Sequence, residues 1–188
     1  MLKPQDLLIA LELHLLGDRD YTFAELGKTV GICTAEAHHA VMRCRDAKLI
    51  AGKMNKVNRT MLTELATMAF PGIHYPVLGK KETGLVTGIH RLEEFAEDDE
   101  WTESLKVWPI RNTVLSPEEL KTQRANNEFG FQLEESLEPL YPTAIQSILH
   151  EPRLLPFLAL IDVIRCHRGE VRKKAISLLA KKIKETAG

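Results

Sequence analysis

Residues 23–50 read FAELGKTVGICTAEAHHAVMRCRDAKLI. The stretch holds two short helical patterns with a tight joint between them. Thr22 stands just before the first, and Glu25 follows three residues later, which is the spacing of a capping box. Phe23, Leu26 and Val30 then line one helical face. Gly31 suits the left-handed position that closes a helix. Cys33 or Thr34 opens the second helix, with Glu36 in its first turn. Ala37, Ala40, Val41 and Cys44 give that helix an inward stripe of mostly small residues. Leu49, Ile50 and Ala51 read as a short strand.

The flanks extend this pattern. Pro4 to Leu16 predicts a helix, with Leu7, Leu8, Leu11 and Leu15 at helical spacing and Pro4 in the first turn. Residues 52–56, GKMNK, form a basic tight turn, and Asn58 caps a fourth helix over 59–69. Residues 71–90 change character. Their prolines and glycines, with Ile73, Tyr75, Val77, Leu85, Val86 and Ile89, predict two short extended pieces around a loop. Ser116, Pro117 and Glu119 signal another helix start. The last third turns helical again over 143–150, 154–166 and 170–184, the last of these amphipathic.

The net charge of −1 hides an uneven distribution. From Thr34 to Arg59 the balance is +4, from Leu92 to Glu138 it is −9, and from Pro139 onward it is +5. A balanced total therefore does not exclude a nucleic-acid partner, because the local surface decides. No apolar run is long enough to span a membrane. The first residues lack the pattern of a secretory signal. Cys33, Cys44 and Cys166 form an odd, widely spaced set. These features together predict a cytoplasmic protein.

Three helices, a short strand and a basic turn are the order of a winged helix-turn-helix. FAEL, then GKTVGI, then CTAEAHHAVMRCRDAKLI resembles the core of MarR-like bacterial transcription regulators. The resemblance covers roughly residues 4–59. It implies double-stranded DNA as partner, with the helix near 34–47 entering the major groove. Thr34, Ala35, His38, His39 and Met42 fall on or near the free face of that helix. Thr34, His38 and His39 can donate to bases or phosphates. Arg43, Arg45, Lys53, Lys56 and Arg59 supply positive charge for phosphates. The wing is short for the family, and the recognition helix carries no Arg or Lys before Arg43, so base reading is either weak or uses His.

Other candidates read more plainly. Adjacent histidines on a helix point about 100° apart, so His38 and His39 do not form a metal pair. Cys33, at a helix N-terminus, is a candidate redox thiol, set against a quiet packing role. The cluster HRGEVRKK at 167–174 reads as a solvated face or as a partner for the acidic EEFAEDDE at 93–100, ahead of a contact with nucleic-acid phosphates. Tyr75, Trp101, Trp108 and Tyr141 read as anchors for irregular segments rather than as a pocket. No serine sits in a nucleophile elbow, no Gly-rich loop cradles phosphate, and no carboxylate pair stands out as acid and base. No enzyme and no cofactor are expected.

The expected fold is mainly α with a small β component. Residues 1–69 would form a winged helix-turn-helix DNA-binding domain. Residues 70–188 would form an α+β then helical region for dimerisation, sensing or partner binding. The expected function is a DNA-binding transcription regulator, a repressor, working as a homodimer. The alternative is an antitoxin-like or defence-associated protein-interaction module on the same scaffold, paired with the product of a neighbouring gene.

Overall fold

The computed structural model describes residues 1–51, 56–68, 78–79, 136–137, 140–166 and 168–186. The expected extended pieces at 71–90 lie outside them apart from 78–79, and the helix start at Ser116 lies outside them altogether. The described part is mostly helical. Helix α1 is Pro4–Leu16, α2 is Phe23–Val30 and α3 is Thr34–Asp46. Strands β1 (Ile50–Ala51) and β2 (Lys56–Val57) pair antiparallel, Ile50 opposite Val57 and Ala51 opposite Lys56. Helix α4 (Arg59–Thr67) follows. A second antiparallel pair joins β3 (Leu78–Gly79) to β4 (Ser136–Leu137). Then come α5 (Ala144–His150), a 3-10 turn at Pro152–Leu154, α6 (Leu155–Cys166) and α7 (Gly169–Glu185). Among the described residues no helix is long and apolar enough to cross a membrane.

Local chemistry sets the helix ends. Thr22 Oγ1 accepts from the Glu25 amide, and the Glu25 carboxylate accepts from the Thr22 amide at 2.7 Å, so two orphan donors are satisfied at once. These bonds hold the Glu25 carboxyl below its ordinary range. Asn58 Oδ1 caps α4 by accepting from the Met61 amide. Gly31 closes α2 with φ +73°, a conformation that a Cβ would strain.

The burial of helix α1 extends beyond Leu7, Leu8, Leu11 and Leu15. The helix is buried from Gln5 to Leu15, polar residues included. The reason is its place at the centre, with α2, α3, α4, β2 and the 3-10 turn against it. The Phe157 ring of α6 also meets His14 edge-on, 6.2 Å between centroids. One buried cluster holds Leu7 and Leu11 of α1, Leu26 of α2, Val41 of α3, Leu62 of α4 and Leu158 of α6. The core thus runs across the division expected at residue 69.

The C-terminal helices also finish three N-terminal ones. The last carbonyls of a helix lack partners within it. Thr143 and Ser147 hydroxyls both donate to the Val30 carbonyl at the end of α2. Arg153 donates to Leu15 O of α1, and Arg172 to Thr67 O of α4. Arg172 therefore ties α7 to α4, whereas Lys173 pairs with Glu170 on the solvated face. Of the basic cluster, Arg172 is thus turned to the body and Lys173 to solvent.

Two predictions follow from this packing. A Cβ on Gly31 would stand 2.8 Å from Gln146 Oε1 and 2.9 Å from Thr143 Cβ. Gly31→Ala should lower stability by about 2 kcal/mol, read from the urea midpoint, through the positive φ and the pressure on α5. A loss below about 0.5 kcal/mol would mean that α5 does not rest there.

The second concerns Glu12, which is 3 % exposed. Burial first, and Glu151 second, push its carboxyl from 4.5 up to about 7. The folded state then holds the proton more tightly than the unfolded one. Stability should fall as pH rises from 4.5 to about 7 and level off above. Burial also lowers the His14 pKa, which acts in the opposite sense as pH falls through 6.5. The difference between wild type and Glu12→Gln isolates the first effect. Glu12→Gln should gain on the order of 2 kcal/mol over wild type across that window. A difference independent of pH would refute the assignment.

Candidate nucleic-acid interface

Helix α3 is held by its back. Ala37, Ala40, Val41 and Cys44 have no exposed surface, and small side chains let α3 lie close to α1 and α2. The Cys44 thiol donates to the Asp6 carbonyl at 3.6 Å. Burial pushes that thiol up to about 12, so it stays protonated and chemically quiet. The turn before α3 is equally tight. A Cβ on Gly27 would meet the Ile32 carbonyl at 2.7 Å, so a glycine is needed where the 31–33 turn folds back over α2.

The other face of α3 carries exposed side chains. Thr34, Ala35, His38, His39 and Met42 are all exposed. The residues that helical spacing placed on a free face do lie together there. His38 is steadied by Phe23 of α2, edge to face with centroids 4.9 Å apart, and its ring lies 5.7 Å from that of His39. Cys33 is also exposed, immediately before the helix. Among the described residues no group of three His, Cys, Asp or Glu side chains is placed to hold a metal ion.

The basic residues divide. Lys56 on β2 and Arg59 at the start of α4 are exposed, and Arg45 is half-buried in the last turn of α3. Lys53 lies outside the described residues. Arg43 does not join the exposed set, contrary to the phosphate role expected of it. Its Nε and Nη2 donate to both Asp6 oxygens at 2.9 and 2.7 Å, and Nη2 also reaches Glu36 at 2.6 Å. Gln5 completes the group by donating to Glu36. Asp6 has no exposed surface, so its charge requires this partner. The bond from Arg43 holds the Glu36 carboxyl below its ordinary range. Glu36 and Arg43 are seven residues apart, two turns along one face, and that spacing carried the signal.

Comparison with protein-family models, with curated proteins and with solved structures finds no match to this chain. The functional reading rests on the molecule's own geometry.

The Asp6–Arg43 pair is testable by itself. Arg43→Ala leaves a buried carboxylate without its cation and should cost about 3 kcal/mol in chemical unfolding. Asp6→Ala combined with Arg43→Ala should show a coupling of more than about 1 kcal/mol. Additive single effects would show that the pair contributes no more than its separate side chains.

Proposed function

We propose that this protein is a DNA-binding transcription regulator, a repressor, whose N-terminal part is a winged helix-turn-helix similar to that of MarR-like regulators. The observation that carries the reading is the two-sidedness of α3. Its back is fully buried on small residues, and its polar N-terminal half projects freely. A major groove admits one such helix, and side chains near its N-terminus reach base edges. Thr34, His38 and His39 occupy those positions. The β1–β2 pair follows at once and carries Lys56, and Arg59 stands at the foot of α4. Lys56, Arg59 and Arg45 then bind phosphates. Arg43 orients the recognition helix from behind.

The role of the C-terminal helices in this reading is to hold the reading head rigid, since they cap α1, α2 and α4. Two copies on two half-sites would add their binding free energies, which one short helix without an early Arg or Lys requires. The second reading, an antitoxin-like or defence-associated module that grips a protein partner, is favoured by one observation. Met42 is 39 % exposed beside Ala35, with no Arg or Lys among the exposed residues of that face.

Lys56→Ala with Arg59→Ala should weaken duplex binding at every sequence and reduce the log–log salt slope by about 2. Thr34→Ala with His38→Ala should leave that slope alone and reduce the preference for the operator tenfold or more. Gel shifts on the DNA upstream of the gene, at several salt concentrations, read both. Unchanged affinity in the first variant would count directly against the DNA reading and leave the protein-partner one.

A further inference from the structure

A pocket of about 280 Å³ opens between the α1 C-terminal half, the 17–21 turn, α2 and the segment after α5. None of its lining residues belongs to α3. Its wall carries four carboxylates, Glu12, Asp20, Glu25 and Glu151, against the cations Arg19 and Lys28, with His150 at the edge. Two of the four are engaged. Glu25 caps α2, and Glu151 holds Arg153 through Nε and Nη2 at 2.8 and 2.7 Å.

Glu12 is different. It is 97 % buried, and its Oε2 has no hydrogen-bond partner. Arg153, which could have reached it, is held by Glu151 and by Leu15 O. A buried carboxylate oxygen with no donor is costly. Tyr21 also lines the pocket, but its buried hydroxyl lies under the influence of Arg45 and Cys44 of α3 and takes no part in the site. A buried carboxylate lacking a donor on the wall of a pocket is an arrangement that a ligand with N–H donors completes.

We propose that this pocket binds a small organic cation, a primary ammonium or an amidinium, with Glu12 as its counter-ion. The excess of carboxylates disfavours anions. A bare metal ion lacks its ligand set, because no group of three His, Cys, Asp or Glu among the described residues is placed to hold one. Leu16 and Leu26 offer apolar wall for the hydrocarbon part of the cation. The charge-assisted bond to Glu12 forms in a water-poor recess, where it is strongest.

Cation binding favours the ionised carboxylate. Glu12 titrates at about 7 because of burial and Glu151, opposed by Arg153 and Arg19. Asp20, Glu25, Lys28 and His150 face the same pocket from the turn, α2 and α5. Binding near neutral pH should therefore release protons. The site stands independently of the DNA reading.

The test is isothermal titration of putrescine and of benzamidinium into the full chain at pH 7, in two buffers of different ionisation enthalpy. The proposal expects saturable binding of one cation per chain, with proton release. Glu12→Gln should weaken it at least tenfold and abolish the release, and acetate should not bind. Lys28→Glu, a change at an exposed position, should tighten cation binding severalfold and keeps the test open if Glu12→Gln folds poorly. No saturable binding of either cation would overturn the proposal. So would binding indifferent to both variants, or acetate binding as well as the cations.

Discussion

A carboxylate with no exposed surface must have a cation, and Asp6 has one in Arg43. The rest of the N-terminal structure depends on that requirement. Asp6 sits in the first turn of α1, where it also accepts from the Lys3 amide at 2.8 Å. Arg43 comes from the last turn of α3, two turns beyond Glu36. A planar guanidinium on a carboxylate fixes distance and rotation together, which a lysine would not do. Helix α3 can then slide or roll on α1 only by breaking that pair. Its alanine stripe faces inward, and Thr34, His38 and His39 face outward as a consequence.

The second constraint is the unfinished end of each helix. Helices α1, α2 and α4 each end with a carbonyl taken up by a side chain from residues 143–172. This ties the beginning of the chain to its end without covering the front of α3. The C-terminal helices pack against α2 and α4 and share the core of the N-terminal helices. The pocket at Glu12 lies on the same seam, where α1 and α2 meet the turn after α5.

What was legible in the sequence was what local chemistry decides. The Thr22–Glu25 box, Gly31 as a left-handed closure, Asn58 as a cap and the Ala37–Cys44 stripe each depend on residues within a few positions. What was not legible needed distant partners. The Val30 carbonyl is met by Thr143, 113 residues away, and no periodicity announces that. The burial of Glu12 and His14 was not legible either, because a helix surrounded on all sides is distinguishable only when its neighbours are known. Arg43 read as a phosphate contact because charge pattern counts cations without showing which are already paired. The exposed set on α3 emerged correctly, since helical spacing and a burial stripe determine a face between them.

The central claim is that the outward face of α3, locked in place from behind, is the surface that meets a duplex. Amide chemical-shift mapping of the ¹⁵N-labelled chain titrated with a DNA duplex at low salt addresses it residue by residue. The account predicts that the perturbed amides cluster over 34–42 and 56–59, with α6 and α7 silent. Perturbations confined to α6 and α7, or none at all at saturating duplex, would contradict it.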